Sequence, residues 1–377
     1  MRREMLSSGV AERNSADDLS DDPDRLVELV NQCFWASIQL EEGRAMKGTV
    51  CICSQDQVIP LSRAFKPALA LSVKNLVSVL TACPGSFLAA QASAEGVEIW
   101  GILDAGAAPL LATKLRIAGA GLLIASNNDR VLAVIEGGEA HIPVQLGGGD
   151  WVTLVANALD QAKPFPDRFK RASVLQKVVI AIHRQGHGGA LVVGPSSTTG
   201  WTDDVNLAFE FDEVGSHAIG QRIAELEVAV KQKQEHLFGD LSGAHSPPSL
   251  LPPPATVVAA NRSLLESLLR QFGELSAIDG AVVVNEELRI LGFGAKLMPR
   301  ADDFEVHQIN VLTGESNGIS YKALGGTRHQ SAACFVRKHP EAMVFVASQD
   351  GRLTLFVWVT DRAQVAAVRQ LEYFVLK

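Results

Sequence analysis

Five prolines stand within the eight residues 247–254, PPSLLPPP. Proline lacks an amide N–H and has a fixed φ, so neither a helix interior nor a central strand can run through such a stretch. The chain must therefore be built in parts on either side of it. Its length of 377 residues agrees, because domains commonly take about 100–200 residues each. The stretch reads as a semi-rigid linker or a wrapped loop, with a domain boundary near it. Just before it, Ile219, Ile223, Leu226 and Val230 recur at helical spacing. They predict either a surface helix lying on one domain or a helix that connects two, so 215–255 is assigned to a connecting helix and a proline-rich linker.

The formal net charge of -8 argues against bulk attraction to nucleic acid; a polyanion partner would have to be small and held at a local basic site. The polar, acidic start lacks the apolar segment of a secretory signal, and 1–24 is expected to be a disordered tail. No window offers the apolar run of about 18 residues that a spanning helix needs. The nearest, LLATKLRIAGAGLLIA at 110–125, is interrupted by Lys114 and Arg116. The expectation is a cytoplasmic protein with no membrane partner. Its five cysteines lack the spacing of a disulfide scaffold or a zinc site. Cys51 and Cys53 fall on one side of a predicted strand, as small core residues.

Residues 25–214 mix two textures. Helices are predicted over 24–39, 74–83 and 171–186, and strands over 97–103, 121–126, 130–137 and 189–195. This is an α/β pattern with no catalytic constellation. Residues 256–377 have a tighter order. A helix at 261–275 is predicted with Asn261 as its cap, followed by a hairpin at 279–293 and a second hairpin at 342–359. DRAQVAAVRQLEYFVL at 361–376 predicts a closing helix capped by Asp361. The predicted fold class is α/β: a C-terminal mixed β-sheet flanked by helices, preceded by a separate α/β N-terminal domain.

Between the two hairpins lies GGTRHQSAACFVRKHP at 325–340. Thr327 is the predicted N-cap, and Gln330, three residues on, completes a capping box. Arg337, Lys338 and His339 suit the last turn, and Pro340 ends it. Capping alone accounts for that much. It does not account for Arg328 and His329 in the first turn, where the helix dipole favours negative groups. Nor does it account for Gly325 and Gly326, which let backbone approach a ligand. First-turn amides, an arginine fork and glycines together describe a phosphate site. Asp279, at a strand start, either caps a turn or faces that site as a ligand to Mg²⁺ or Mn²⁺.

DGAVVV (279–284), GTRHQSAA (326–333) and VFVASQDG (344–351), in that order, resemble the landmarks of the diadenylate cyclase domain, which joins two ATP molecules into cyclic di-AMP. The likeness covers roughly 256–377. It implies that Asp279 binds the metal and helps activate the attacking 3′-hydroxyl. It implies that Gly280, Ala281 and Leu297 of GFGAKL (292–297) line a nucleotide pocket. Gly326, Thr327, Arg328 and Gln330 would lie at the phosphates, with His329 in support. Ser348 would sit at the pocket base, and Asp350 would be a second metal ligand. ATP, Mg²⁺ or Mn²⁺, and a homo-oligomer with catalytic domains face to face are implied with them. The sequence departs from the family at Gln330, where an arginine is usual, and at Gln349, which leaves Asp350 alone of an acidic pair. Those departures keep open a second reading, a catalytically weak or inactive nucleotide-binding sensor of the same fold. HRQGHGGALVVGPS (183–196), with His187, resembles the strand lead-in of sensor domains found before some bacterial cyclase domains. It implies a regulatory front half.

Overall fold

The computed structural model describes residues 22–41, 44–55, 62–83, 86–103, 112–127, 130–143, 168–194, 200–211, 222–223, 225–226, 229, 254–298 and 302–375. The chain divides into two compact units, Met1–His141 and Ile142–Leu376. Each is an α/β unit built on its own mixed sheet.

In the first unit, α1 (Pro23–Ser37) starts where the Asp22 carboxylate accepts hydrogen bonds from the amides of Asp24 and Arg25. A second helix, α2 (Val73–Ala82), starts at Ser72, whose hydroxyl accepts from the Asn75 amide. The strands are β1 (Gly48–Ile52), β2 (Ser62–Ala70), β3 (Phe87–Ser93), β4 (Gly96–Leu103), β5 (Thr113–Gly119), β6 (Leu122–Asn127), β7 (Arg130–Glu136) and β8 (Glu139–His141). Among the described residues they form one sheet in the order β8-β7-β6-β5-β1-β3-β4-β2. As an inner strand, β1 is buried on both faces. Val50 and Ile52 meet Leu29 and Cys33 of α1 and Leu76 and Leu80 of α2. Cys51 and Cys53 share the opposite cluster with Trp100, whose Nε1–H donates to the Cys53 carbonyl at 2.7 Å. Burial pushes the Cys33 thiol up to about 12, so it is an uncharged core group.

The second unit contains α3 (Arg168–Arg184), β9 (Gly189–Gly194), β10 (Val205–Asn206), β11 (Phe209–Glu210), α4 (Pro254–Ser276), β12 (Ala281–Asn285) and β13 (Ile290–Leu297). There follow β14 (Glu305–Asn310), β15 (Ser316–Ser320), α5 (Thr327–Lys338), β16 (Met343–Ala347), β17 (Leu353–Val359), β18 (Gln364–Arg369) and α6 (Glu372–Val375). The sheet order is β10-β13-β12-β9-β16-β17-β18-β14-β15, with β11 also on β13. β12, β9 and β16 lie side by side, and every residue of the three is buried. That is why they read as unbroken apolar runs and not as alternating patterns. The helices α3 and α4 pack on each other and on β9, whereas α5 packs on β16, β17 and β18. Ala332, Ala333, Phe335 and Val336 of α5 share a core with Val192, Val283 and Val344.

Four expectations are corrected by these contacts. First, the strand at 189–194 belongs to the second unit, where it runs parallel to β12 with Ala190 opposite Ala281. The two units part between His141 and Ile142, well before the proline cluster. Residues 247–253 of that cluster, and nearly all of 212–253, lie outside the described residues. Second, Asn261 caps nothing, because its helix already begins at Pro254; proline is well tolerated in a first turn. Third, residues 364–369 are a strand, not a helix. An open slot between β17 and β14 recruits them, with Val365 opposite Trp358 on one side and Val306 on the other. That pairing overrides the local helical spacing. Fourth, Asp361 lies in a short 3-10 turn, Thr360–Arg362, ahead of that strand.

Candidate functional site

The start of α5 differs in detail from the capping-box expectation. Gly326 is the N-cap, in an extended conformation, and Thr327 is the first helical residue. Glycine and threonine are near equals at an N-cap, so the Gly-Gly-Thr sequence could have placed the boundary at either. No side-chain oxygen caps this helix start. Gln330 does not reach back to the cap; its Nε2 donates to the carbonyls of Lys322 at 3.0 Å and Gly325 at 2.9 Å. It pins the loop in front of the helix.

Arg328 points from that first turn across to the start of β12. Its Nη2 donates to Asp279 Oδ1 at 2.8 Å, joining residues 49 apart in sequence. Asp279 is 84% exposed and Arg328 35%, so the pair stands at a surface opening. Beneath it lies a cavity of about 280 Å³. Ala190, Gly280, Ala281 and Ala295 line it from the strands, Lys296, Leu297 and Met298 from the end of β13, and Thr327, Arg328 and Ser331 from α5. Small side chains leave the space open, and the cavity lies just below the roughly 300–1,000 Å³ typical of small-molecule sites. Gly280 is required by packing as well. Its φ is +131°, and a Cβ there would lie 2.5 Å from the Gly294 carbonyl carbon.

A second glycine supports the arginine. A Cβ at Gly188 would lie 3.2 Å from Arg328 Nη1 and 3.1 Å from Gln349 Cγ. His187 beside it is exposed in the turn that leads into β9. The Gly-His-Gly-Gly segment thus serves the second unit, next to Arg328.

His329 turns away from the cavity. Its ring meets Phe356 edge-on at 5.9 Å. Desolvation, then the nearby Arg369 charge, lowers its pKa, with Asp350 partly opposing them. The imidazole is therefore neutral near pH 7, and the helix tip presents a single cation, Arg328.

Residues 17–104 match the family model of a probable sensor domain, DACNV. The match supports an N-terminal sensor domain. It ends well before 183–196, the segment in which the sequence suggested one. No curated protein is matched by the sequence. Among the described residues, no helix is long and apolar enough to cross a membrane. The matched segment thus falls in the first unit, and the cavity in the second.

Of the residues expected at a nucleotide site, the cavity is lined by Asp279, Gly280, Ala281, Leu297, Thr327 and Arg328. Gly326 adjoins them as the N-cap. Gln330, His329, Ser348 and Asp350 are not among its lining residues. Ser348 and Asp350 shape the turn of the second hairpin: the Ser348 amide donates to the Arg352 carbonyl, and Asp350 Oδ1 accepts from the Arg352 amide at 3.1 Å. Asp279 is the cavity's one lining carboxylate, and among the described residues no three His, Cys, Asp or Glu side chains converge as a metal site. One carboxylate could hold a divalent ion only where a bound phosphate chain supplied most of its other oxygens. Sequence reasoning missed Ala190, Ala295, Lys296, Met298 and Ser331. Ser331 carried a signal, standing one turn after Thr327 on the same helix face. Ala190 carried none, because only the strand pairing brings it beside Ala281.

Proposed function

We propose that the second unit is a nucleotidyltransferase of the diadenylate cyclase type, condensing two ATP into cyclic di-AMP under the influence of the N-terminal sensor domain. The observation that carries this reading is Arg328 held against Asp279 over a cavity walled by small residues. In each half-reaction the 3′-oxygen of one ATP forms a bond to the α-phosphorus of the other. The bond between the α- and β-phosphates breaks, pyrophosphate leaves with its electron pair, and the 3′-proton passes to solvent or to a nearby carboxylate. Two pyrophosphates depart for each cyclic product.

The protein's contribution is positioning and charge. In the nucleotide-free state Arg328 and Asp279 neutralise one another. A triphosphate would take the arginine fork, and the Asp279 carboxylate so freed would hold Mg²⁺ or Mn²⁺, which would supply neutralisation of phosphate charge. Thr327 and the Gly326 backbone allow close approach at the helix start, where the dipole favours an anion. Ala281 and Leu297 meet the apolar part of the nucleotide. With one ATP held at this cavity, the reaction needs a second copy of the chain facing it to present the other.

The test is ATP with Mn²⁺ or Mg²⁺ at several protein concentrations, with detection of cyclic di-AMP. Specific activity should rise with concentration, and Asp279→Asn should remove the product without unfolding the chain. ATP binding without product at any concentration would support the second reading, a nucleotide-binding sensor. Gln330 favours it, because its amide nitrogen donates to two loop carbonyls and a usual phosphate cation is missing. Failure to bind ATP would overturn both.

A further inference from the structure

The edge of the second sheet carries a polar cluster away from the cavity mouth. Asp204 ends a 3-10 turn, Thr202–Asp204, immediately before β10. Its Oδ2 lies 2.7 Å from His339 Nε2 and 2.7 Å from Lys338 Nζ, both at the C-terminal end of α5. Its backbone carbonyl accepts from the Met298 amide at 2.9 Å, and the next two residues pair with Leu297 and Lys296. Both side chains of the Asp204–His339 contact are largely buried, at 16% and 10% exposure. Trp201 is buried in the same turn and meets the Phe335 ring of α5 edge-on at 6.4 Å. Phe335 in turn touches the His339 ring at 4.8 Å.

We infer that Asp204 is a positioning residue, a clamp that fixes the Lys296–Met298 wall of the cavity to helix α5, which carries Thr327, Arg328 and Ser331 on the opposite wall. The bonds reach both walls through one residue: the backbone of Asp204 holds the strand, and its carboxylate holds the helix. The hydrogen bond from Lys338, with that from His339, keeps the carboxyl below the usual range, so the clamp is ionised at neutral pH. A helix held at one end by two charge-assisted bonds moves as a rigid rod, so its anchorage sets where its first turn stands. The structural claim stands on the contacts alone; its consequence for ATP rests on the proposed nucleotide site.

Hydrogen–deuterium exchange on the full chain without nucleotide tests the clamp. In Asp204→Ala the amides of 295–298 should exchange roughly tenfold faster than in the wild type, from the loss of bonds to charged partners. Amides of β14 and β15, remote from the clamp, should not change. Asp204→Asn should fall between, and Lys338→Met, at a half-exposed side chain that folding tolerates, should shift 295–298 in the same direction. Calorimetry should then show ATP binding several-fold weaker in Asp204→Ala at a temperature where its fold is intact. Unchanged exchange at 295–298, or an equal rise across the unit, would overturn the clamp. So would ATP affinity equal to wild type in a variant whose 295–298 segment is loosened. If the wild type itself does not bind ATP, the nucleotide reading fails, and the exchange pattern still decides the clamp.

Discussion

Replacing Gly188 by alanine separates a backbone cost from a contact with the arginine, because the protein supplies its own control. Gly186 and Gly188 both adopt the left-handed conformation, with φ of +70° and +72°. An L-residue there costs about 1–2 kcal/mol. At about 2–4 °C per kcal/mol for a unit of this size, Gly186→Ala and Gly188→Ala should each lower Tm by roughly 2–8 °C. Their surroundings differ. A Cβ at Gly186 has nothing within 4 Å among the described residues, whereas at Gly188 it lies 3.2 Å from Arg328 Nη1, 3.1 Å from Gln349 Cγ and 3.3 Å from the Ala347 carbonyl oxygen. The side-chain ends must then give by a few tenths of an ångström, and Arg328 is already committed to a 2.8 Å bond with Asp279. A guanidinium pushed from its place would lose part of one charge-assisted bond to the phosphates of bound ATP, on the order of 1 kcal/mol, or about fivefold in affinity. Thermal unfolding by circular dichroism should find the two variants alike. Calorimetry with ATP should find Gly188→Ala about fivefold weaker than Gly186→Ala. Equal affinities would refute the claim that the glycine makes room for a ligand-binding arginine.

Other outcomes follow from individual contacts. The Asp279 carboxylate is 84% exposed, and exposed ion pairs contribute about 0–1 kcal/mol. Asp279→Asn should therefore leave Tm within about 4 °C of wild type while cyclic di-AMP formation falls to background; a larger loss of stability would make the residue structural. His329 has a folded-state pKa below its ordinary value of 6.5. The unfolded chain then binds the proton first, so stability falls as pH drops below 6.5, and the loss is complete below the folded value. Urea midpoints at a pH above and a pH below that window should converge in His329→Gln relative to wild type; parallel behaviour would reject the desolvated imidazole. In the first unit, Trp100→Phe leaves the buried Cys53 carbonyl without its 2.7 Å donor. The expected cost is about 1–3 kcal/mol by denaturant titration, and no loss would mean that water replaces the indole.

Much of the candidate site was legible before any coordinates. Asp279, Thr327 and Arg328 stand at the cavity where a local reading of a helix start and a strand start put a phosphate site, and Gly280, Ala281 and Leu297, which only the resemblance to the cyclase domain implied, line it with them. Gln330 and His329 do not line the cavity for one reason: both lie on the same helical turn as Arg328, and the direction of each side chain depends on what packs below. Phe356 draws the His329 ring inward, and two loop carbonyls take the Gln330 amide. The Gly-His-Gly-Gly segment reads as part of the front half because it resembles the strand lead-in of sensor domains and precedes the proline cluster. Strand pairing takes no account of that order.

Local chemistry was enough to place the apolar runs at 281–285, 343–347 and 353–359 as strands, with turn residues between the last two, and to put a helix over 24–39; that this helix starts from an Asp22 cap, inside the stretch expected to be a tail, only the structure decided. Apolar periodicity and caps act over a few residues, so they can be read along the chain. Neighbour relations act across it. Gly189–Gly194 lies between β12 and β16, and 364–369 becomes a strand, because a buried backbone must find hydrogen-bond partners wherever the sheet offers them. The same pairing sets Ala190 beside Ala281 and brings Arg328 to Asp279, so the cavity exists only once the sheet has closed around it.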